Sequence, residues 1–297
     1  MHAFTLAVRR SPHRFMDTAL SSHRINLEMT TSTWQFNGIN PIDQEALRAQ
    51  VQVAKPVKNF MIDNFLDESF ANEVHDCFPS FEEAKALGKN TAASINEQNK
   101  YQVTDSTSFK PPLLKLHEML QSDGFCDLLA NVFDIPNILS DPELVGGGIH
   151  QTGPRGHLDV HVDFNYVKER KLFRRMNILI YFNKDWQDDW GGNIELWDSN
   201  VKNCVHSFTP VFNRCVVFET NEISYHGVTA VKCPESMARR SFAGYYYTTD
   251  EPEWWEGNAH STIFKARPDE KLKGSVLMPA EKISRLVRRA KRKILGS

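Results

Sequence analysis

His161-Val162-Asp163, answered by Glu222-Ile223-Ser224-Tyr225-His226-Gly227-Val228 and then by Arg239-Arg240-Ser241, is the part of the chain whose reading decides the fold. If the first stretch is extended, its histidine and aspartate, two positions apart, project from one face. A second histidine, brought in from another strand, completes a set of two imidazoles and one carboxylate. Such a set leaves three positions of a non-haem Fe(II) open for cosubstrate and O2. A basic residue beyond the second histidine supplies a cation for the far carboxylate of 2-oxoglutarate. These residues point to an oxygen-activating iron enzyme.

The neighbouring segments read as short strands joined by turns. Met176 to Phe182 is a near-continuous apolar run suited to a buried strand, with Asn177, Leu179 and Tyr181 on one face. Trp190-Gly191-Gly192 is a turn leading into a strand over residues 193–197. No helix start follows those glycines, so they serve backbone geometry, not a phosphate. The glycine after His226 permits close packing or an unusual backbone angle. Arg239 and Ser241 share strand parity with Ala243 and Tyr245, and Tyr245-Tyr246-Tyr247 divides its rings between two faces, mainly for packing.

From about Gly146 to Thr249, a third of the chain, the sequence resembles the prolyl-hydroxylase branch of the Fe(II)/2-oxoglutarate-dependent dioxygenases. The resemblance is carried by His161-Val162-Asp163, the run Ile178 to Trp186, Gly191 to Leu196, Phe208-Thr209-Pro210, Arg214 to Phe218, His226-Gly227-Val228 and Arg239 to Tyr245. It implies a mainly β protein with flanking helices and a double-stranded β-helix (jelly-roll) core. It further implies that His161, Asp163 and His226 hold Fe(II). Arg239 would pair with the distal carboxylate of 2-oxoglutarate, helped by Tyr181 and Ser241, with O2 as second cosubstrate. Relatives that halogenate replace the carboxylate ligand with a small residue, so Asp163 favours hydroxylation.

Two departures concern the substrate pocket. Many relatives carry a cosubstrate-binding tyrosine about ten residues before the first histidine, a place that falls here near Gln151. The stretch from Asp163 to Tyr181 is longer than in compact relatives and adds charges around Lys168 to Arg175. A second His-x-Asp, His157-Leu158-Asp159, would lengthen that stretch further, which favours His161 and Asp163. His157 and Asp159 are then expected at the rim or facing solvent. The Arg-x-Ser spacing favours Arg239 over Arg240.

Composition agrees with a globular enzyme. The 297 residues carry a net charge of -2, which argues against bulk affinity for nucleic acid. Five cysteines without CxxC spacing suggest reduced thiols, a cytoplasmic setting and no zinc site. No apolar run is long enough for a membrane span. Three regions are expected: a leader over 1–55, disordered or a targeting segment, with Met29 as an alternative start; a dioxygenase domain over 56–250 with N-terminal helices; and an extension over 251–297.

A strand entering a helix capped near Asp67, helices over 111–121 and 125–132, and a strand at Asn99 to Val103 are predicted before the core. The helices are read as buttresses of the sheet, and the strand as an edge that can reach the substrate side. Trp254-Trp255 is expected to cap the open end of the barrel. From Pro279 a helix with a basic face is predicted, either docked on the domain or offered to an anionic partner such as a membrane or RNA. The expected reaction is hydroxylation of an aliphatic C–H bond with release of succinate and CO2. A prolyl residue is the substrate suggested, with a free amino acid, another metabolite or a glycan as alternatives. A cupin-like metal-binding module without turnover, or a scaffold for the basic helix, are the competing readings.

Overall fold

The computed structural model describes residues 33–90 and 95–278. The chain begins with β1 (Thr33–Phe36), β2 (Ile39–Asp43), α1 (Gln44–Val53), β3 (Asn59–Ile62), α2 (Glu68–Cys77) and α3 (Phe81–Leu87). It continues with β4 (Lys89–Asn90), β5 (Glu97–Val103), α4 (Pro111–Gln121) and α5 (Asp123–Phe133). The core follows as β6 (Leu139–Ser140), β7 (Gly148–Val162), β8 (Tyr166–Val167), β9 (Leu172–Tyr181), β10 (Ile194–Trp197) and β11 (Cys204–Phe208). It closes with β12 (Cys215–Glu219), β13 (His226–Val228), β14 (Arg239–Thr248) and β15 (Ile263–Phe264).

The helices start where side chains satisfy their free N–H groups. Asp43, Asp67 and Ser122 cap α1, α2 and α5, while Ser80 and Glu83 form a reciprocal capping box on α3. Pro111 opens α4 at a position that needs no N–H. Part of the expected leader is therefore folded: β1, β2 and α1 lie within it. The N-terminal segment before Thr33 and the basic helix from Pro279 lie outside the described residues.

The antiparallel strands run in the order β11-β10-β13-β7-β14-β9-β12-β3. The long strand β7 belongs to both ends of this curled sheet, pairing with β14 along its first half and β13 along its second. That is the double-stranded β-helix. On β9, Met176, Ile178 and Ile180 turn toward the helices and pack with Phe60, Phe125, Leu129, Phe133, Phe242 and Tyr246 in the main core. Burial of each such side chain contributes about 1.5–3 kcal/mol. The alternate residues Leu179 and Tyr181 turn inward, against Ile194, Val216, Phe218 and Val228. Strand alternation thus divides one apolar run between an outer helix-covered core and the inner wall of a cavity.

One irregularity in β7 sets everything that follows. His226 is opposite His161, but Val228 is opposite Leu158, so β7 spends one residue more than β13. Asp159 and Val160 bulge against Gly227. A Cβ on Gly227 would come within 3.0 Å of the Leu158 carbonyl and 3.1 Å of the Val160 Cα, which is why only glycine fits. The bulge reverses side-chain parity: His150, Thr152 and Leu158 face the cavity before it, His161 and Asp163 after it.

Candidate active site

The cavity has a volume of ≈ 220 Å³ and opens inside the curled sheet. At one end His161, Asp163 and His226 bring one ligand atom each within 4.8 Å of one another. Both imidazoles are oriented the same way. Nδ1 of His161 donates to the Asp159 carbonyl (2.8 Å), and Nδ1 of His226 to the Ser224 carbonyl (2.8 Å). A carbonyl only accepts, so Nδ1 carries the proton and each Nε2 lone pair is left facing Asp163. Those Nε2 atoms lie 3.4 Å and 3.3 Å from the Asp163 oxygens. Burial, reinforced by His161, lowers the pKa of His226 and keeps it neutral. Burial alone would raise the Asp163 carboxyl, but Arg174, His226 and the imidazole hydrogen bonds outweigh it and hold it well below the usual carboxylate range. Two neutral imidazoles and one carboxylate suit a divalent ion such as Fe(II).

At the other end Arg239 is 3% exposed, and among the described residues no carboxylate lies within ion-pair distance of it. Its Nε donates to the Gly192 carbonyl (2.6 Å), and its terminal nitrogens reach Ser241 Oγ and Tyr181 Oη, each at 3.3 Å. Gly192 has φ +72°, and a Cβ there would sit 3.0 Å from Arg239 Cδ; glycine is needed for both reasons. A buried guanidinium without a counter-charge is costly unless an anion comes to it. Burial raises the Tyr181 phenol to about 12, so it remains a donor for such an anion. The walls between the two ends are apolar: Leu179, Ile194, Phe218 and Val228. A short dicarboxylate with an apolar middle fits that sequence of surfaces.

All six residues singled out in the sequence meet in this one cavity or its wall. Three other expectations need correction. The place of the missing tyrosine is not taken by Gln151, which the strand turns away from the cavity to donate to the Pro79 carbonyl at 2.5 Å. His150 and Thr152 face inward instead. His157 lines the cavity, but Asp159 is neither rim nor solvent-facing: it is fully buried in the bulge and pairs with Lys273 at 2.6 Å. Trp254 and Trp255 do not cap the cavity. Trp255 packs on Tyr166 and Phe173, and the wall is supplied by Thr262 and Phe264.

Sequence reasoning missed two sets of residues. Phe264, on β15, pairs with His161, and their rings are 5.4 Å apart. Arg174, on β9, is 3.0 Å from Asp163 Oδ2, and Asn177 donates to the same oxygen at 2.8 Å. The predicted inward face of β9, shared by Asn177, Leu179 and Tyr181, was the signal available for Asn177. Nothing comparable announced Arg174 among the charges of its segment. The strand predicted at Asn99 to Val103 does reach the cavity, through Lys100 and Gln102.

Fold and donor set together define a double-stranded β-helix protein with a mononuclear metal face and a buried cation behind it. A family model described as the 2OG-Fe(II) oxygenase superfamily matches residues 147–247. Residues 147–247 are a 2OG-Fe(II) oxygenase domain of the prolyl-hydroxylase-like type, whose cofactor and cosubstrate are Fe(II) and 2-oxoglutarate. Over 90 residues the chain is 32% identical to prolyl 3-hydroxylase OGFOD1 of Mus musculus, covering 28% of this chain and 16% of that protein. The chain thus matches about a sixth of the length of that curated relative. Among solved structures, a prolyl hydroxylase from Trichoplax adhaerens, in complex with a hypoxia inducible factor oxygen degradation domain peptide fragment, superposes with a TM-score of 0.50 at 18% identity. That match covers 69% of this chain and 90% of the other. A Pseudomonas putida prolyl-4-hydroxylase gives 0.47 at 15% identity, over 68% and 98%. No described helix is long and apolar enough to cross a membrane, and all five cysteines are free.

Proposed function

We propose that this protein hydroxylates an aliphatic C–H bond, with His161, Asp163 and His226 as the Fe(II) ligands and Arg239, Tyr181 and Ser241 as the seat of the distal carboxylate of 2-oxoglutarate. The observation that carries this reading is the pairing, in one cavity, of a neutral-imidazole and carboxylate cluster with a buried arginine that has no acidic partner. Fe(II), 2-oxoglutarate and O2, when bound, supply the oxidation: 2-oxoglutarate is decarboxylated to succinate and CO2, and one oxygen atom enters the substrate C–H bond. The chain's own residues do the rest. Their Nδ1 hydrogen bonds fix both imidazoles in the ligating tautomer. Arg239 orients the cosubstrate through charge-assisted bonds. Leu179, Ile194, Phe218 and Val228 keep water from its middle, and Phe264 and Thr262 bound the space beside His161 in which a substrate carbon would approach.

A prolyl residue in a protein is the substrate favoured by the likeness to OGFOD1 and to the prolyl-hydroxylase branch; a free amino acid, another metabolite or a glycan are the alternatives that a substrate screen would separate. Five unpaired cysteines support a cytoplasmic setting. The test is an anaerobic titration of the metal-free protein with Fe(II) and 2-oxoglutarate, following the visible metal-to-ligand charge-transfer band, beside His226→Ala. A band that needs 2-oxoglutarate and is lost in the variant is the expected result. Absence of the band in iron-loaded parent protein would overturn the oxygenase reading in favour of a metal-binding module without turnover.

A further inference from the structure

Asp163 has a partner that the metal-binding role does not require. Its Oδ2 accepts from Asn177 Nδ2 at 2.8 Å and lies 3.0 Å from Arg174 Nη2. The two donors are themselves joined, since Nε and Nη2 of Arg174 donate to Asn177 Oδ1 at 3.0 Å and 2.7 Å. Arg174 is 2% exposed, and its guanidinium lies over the Tyr245 ring at 3.6 Å and the Phe164 ring at 4.7 Å. Among the described residues Asp163 is the only carboxylate in ion-pair distance of it. A guanidinium fixed by two rings and an amide is a rigid donor, unlike a surface arginine.

A carboxylate oxygen offers about two in-plane acceptor sites. With both sites of Oδ2 engaged, the carboxylate has one oxygen left for an ion, Oδ1. We propose that Arg174, seconded by Asn177, is a positioning residue that holds Asp163 to one-oxygen coordination and so keeps open a metal position needed by 2-oxoglutarate. This rests on the reading of His161, Asp163 and His226 as metal ligands. If Oδ2 were released, Asp163 would close on the ion with both oxygens, occupy a position reserved for the cosubstrate, and bind the ion itself no worse. Loss of a cation beside a divalent ion works in the same direction. The signature is a split that mere loss of packing would not give: metal affinity kept, cosubstrate affinity lost.

The experiment measures Mn(II) binding, then 2-oxoglutarate binding to the Mn(II)-loaded protein, by calorimetry, with the Co(II) visible spectrum as a coordination readout. Arg174→Met is expected to hold Mn(II) within about 3-fold of the parent, while its Kd for 2-oxoglutarate rises by roughly 10-fold or more, in the range known for groups that orient metal ligands. Arg174→Lys, which keeps a charged donor, should recover most of the loss. Should Arg174→Met not fold, Asn177→Leu removes the second donor and is expected to show the same split. Parent-like 2-oxoglutarate binding in Arg174→Met, or in Asn177→Leu if that variant is used, would overturn the proposal. So would equal losses in Arg174→Met and Arg174→Lys, because those would report packing against Tyr245 and Phe164. A parent protein that binds no Mn(II) would instead sink the metal-site reading on which the proposal rests.

Discussion

Replacing Arg239 with methionine removes the charge at the closed end of the cavity and keeps most of the side-chain length. Two charge-assisted hydrogen bonds to a carboxylate are lost, at about 1.5 kcal/mol or more each. The sum of about 3 kcal/mol corresponds to a rise of roughly 100-fold in the Kd for 2-oxoglutarate. Stability should respond differently. The Gly192 carbonyl and Tyr181 hydroxyl lose a donor, at a cost of about 1–3 kcal/mol. Against this, a buried guanidinium that has no carboxylate partner among the described residues is gone, which offsets a penalty of similar size. The metal-free variant should therefore unfold within about 2 kcal/mol of the parent in urea. The assay is anaerobic titration of Fe(II)-loaded protein with 2-oxoglutarate and with 2-oxopentanoate, which has the same chain length without the distal carboxylate. The parent should prefer 2-oxoglutarate by about 100-fold and Arg239→Met should show almost no preference. Equal discrimination by both proteins would refute the assignment of Arg239 to the distal carboxylate.

Gly192→Ala should strain a backbone at φ +72° and press on Arg239 Cδ, weakening 2-oxoglutarate binding by about 10-fold with a stability loss of about 1–2 kcal/mol, read by calorimetry and urea unfolding. His150 is kept neutral by burial first, then by Lys100 and Arg239, so its pKa lies well below the ordinary value of 6.5. The unfolded chain takes up a proton below about pH 6.5 while the folded one does not, so stability falls as pH drops through that value. His150→Gln should flatten the fall by up to about 1.4 kcal/mol per pH unit between about pH 6 and 5, measured by urea unfolding. Lys273→Met strands the buried Asp159 carboxylate and should cost about 3 kcal/mol and speed hydrogen exchange over residues 262–273; Asp159→Leu combined with Lys273→Met should recover much of it. An unchanged exchange pattern in the single variant would show that Lys273 does not fasten this segment.

Much of the site was legible in the chain because it depends on local rules. A spacing of two puts His161 and Asp163 on one face of a strand, and the apolar run Met176 to Phe182 divides its residues between two faces by simple alternation. The helix caps at Asp67 and Ser122 and the proline opening α4 are local chemistry, and the helices over 111–121 and 125–132 came out as α4 and α5. Counting fails where alternation fails. One extra residue at Asp159 and Val160 reverses the parity of β7, so Gln151 turns out of the cavity, His150 turns in, and the second His-x-Asp becomes an anchor for Lys273 instead of a ligand pair. A bulge is fixed by what its partner strand allows, here the bare Cα of Gly227, and a strand read by itself does not contain that information. The same holds for Arg174 on Asp163 and Phe264 on His161. Their partners are 11 and more than 100 residues away along the chain, brought together only by the closing of the sheet. The sequence by itself determined the chemistry of the donors and the alternation of the strands; the tertiary structure decided which side chains those donors would answer to, because ion pairs and ring contacts are set by distance in space.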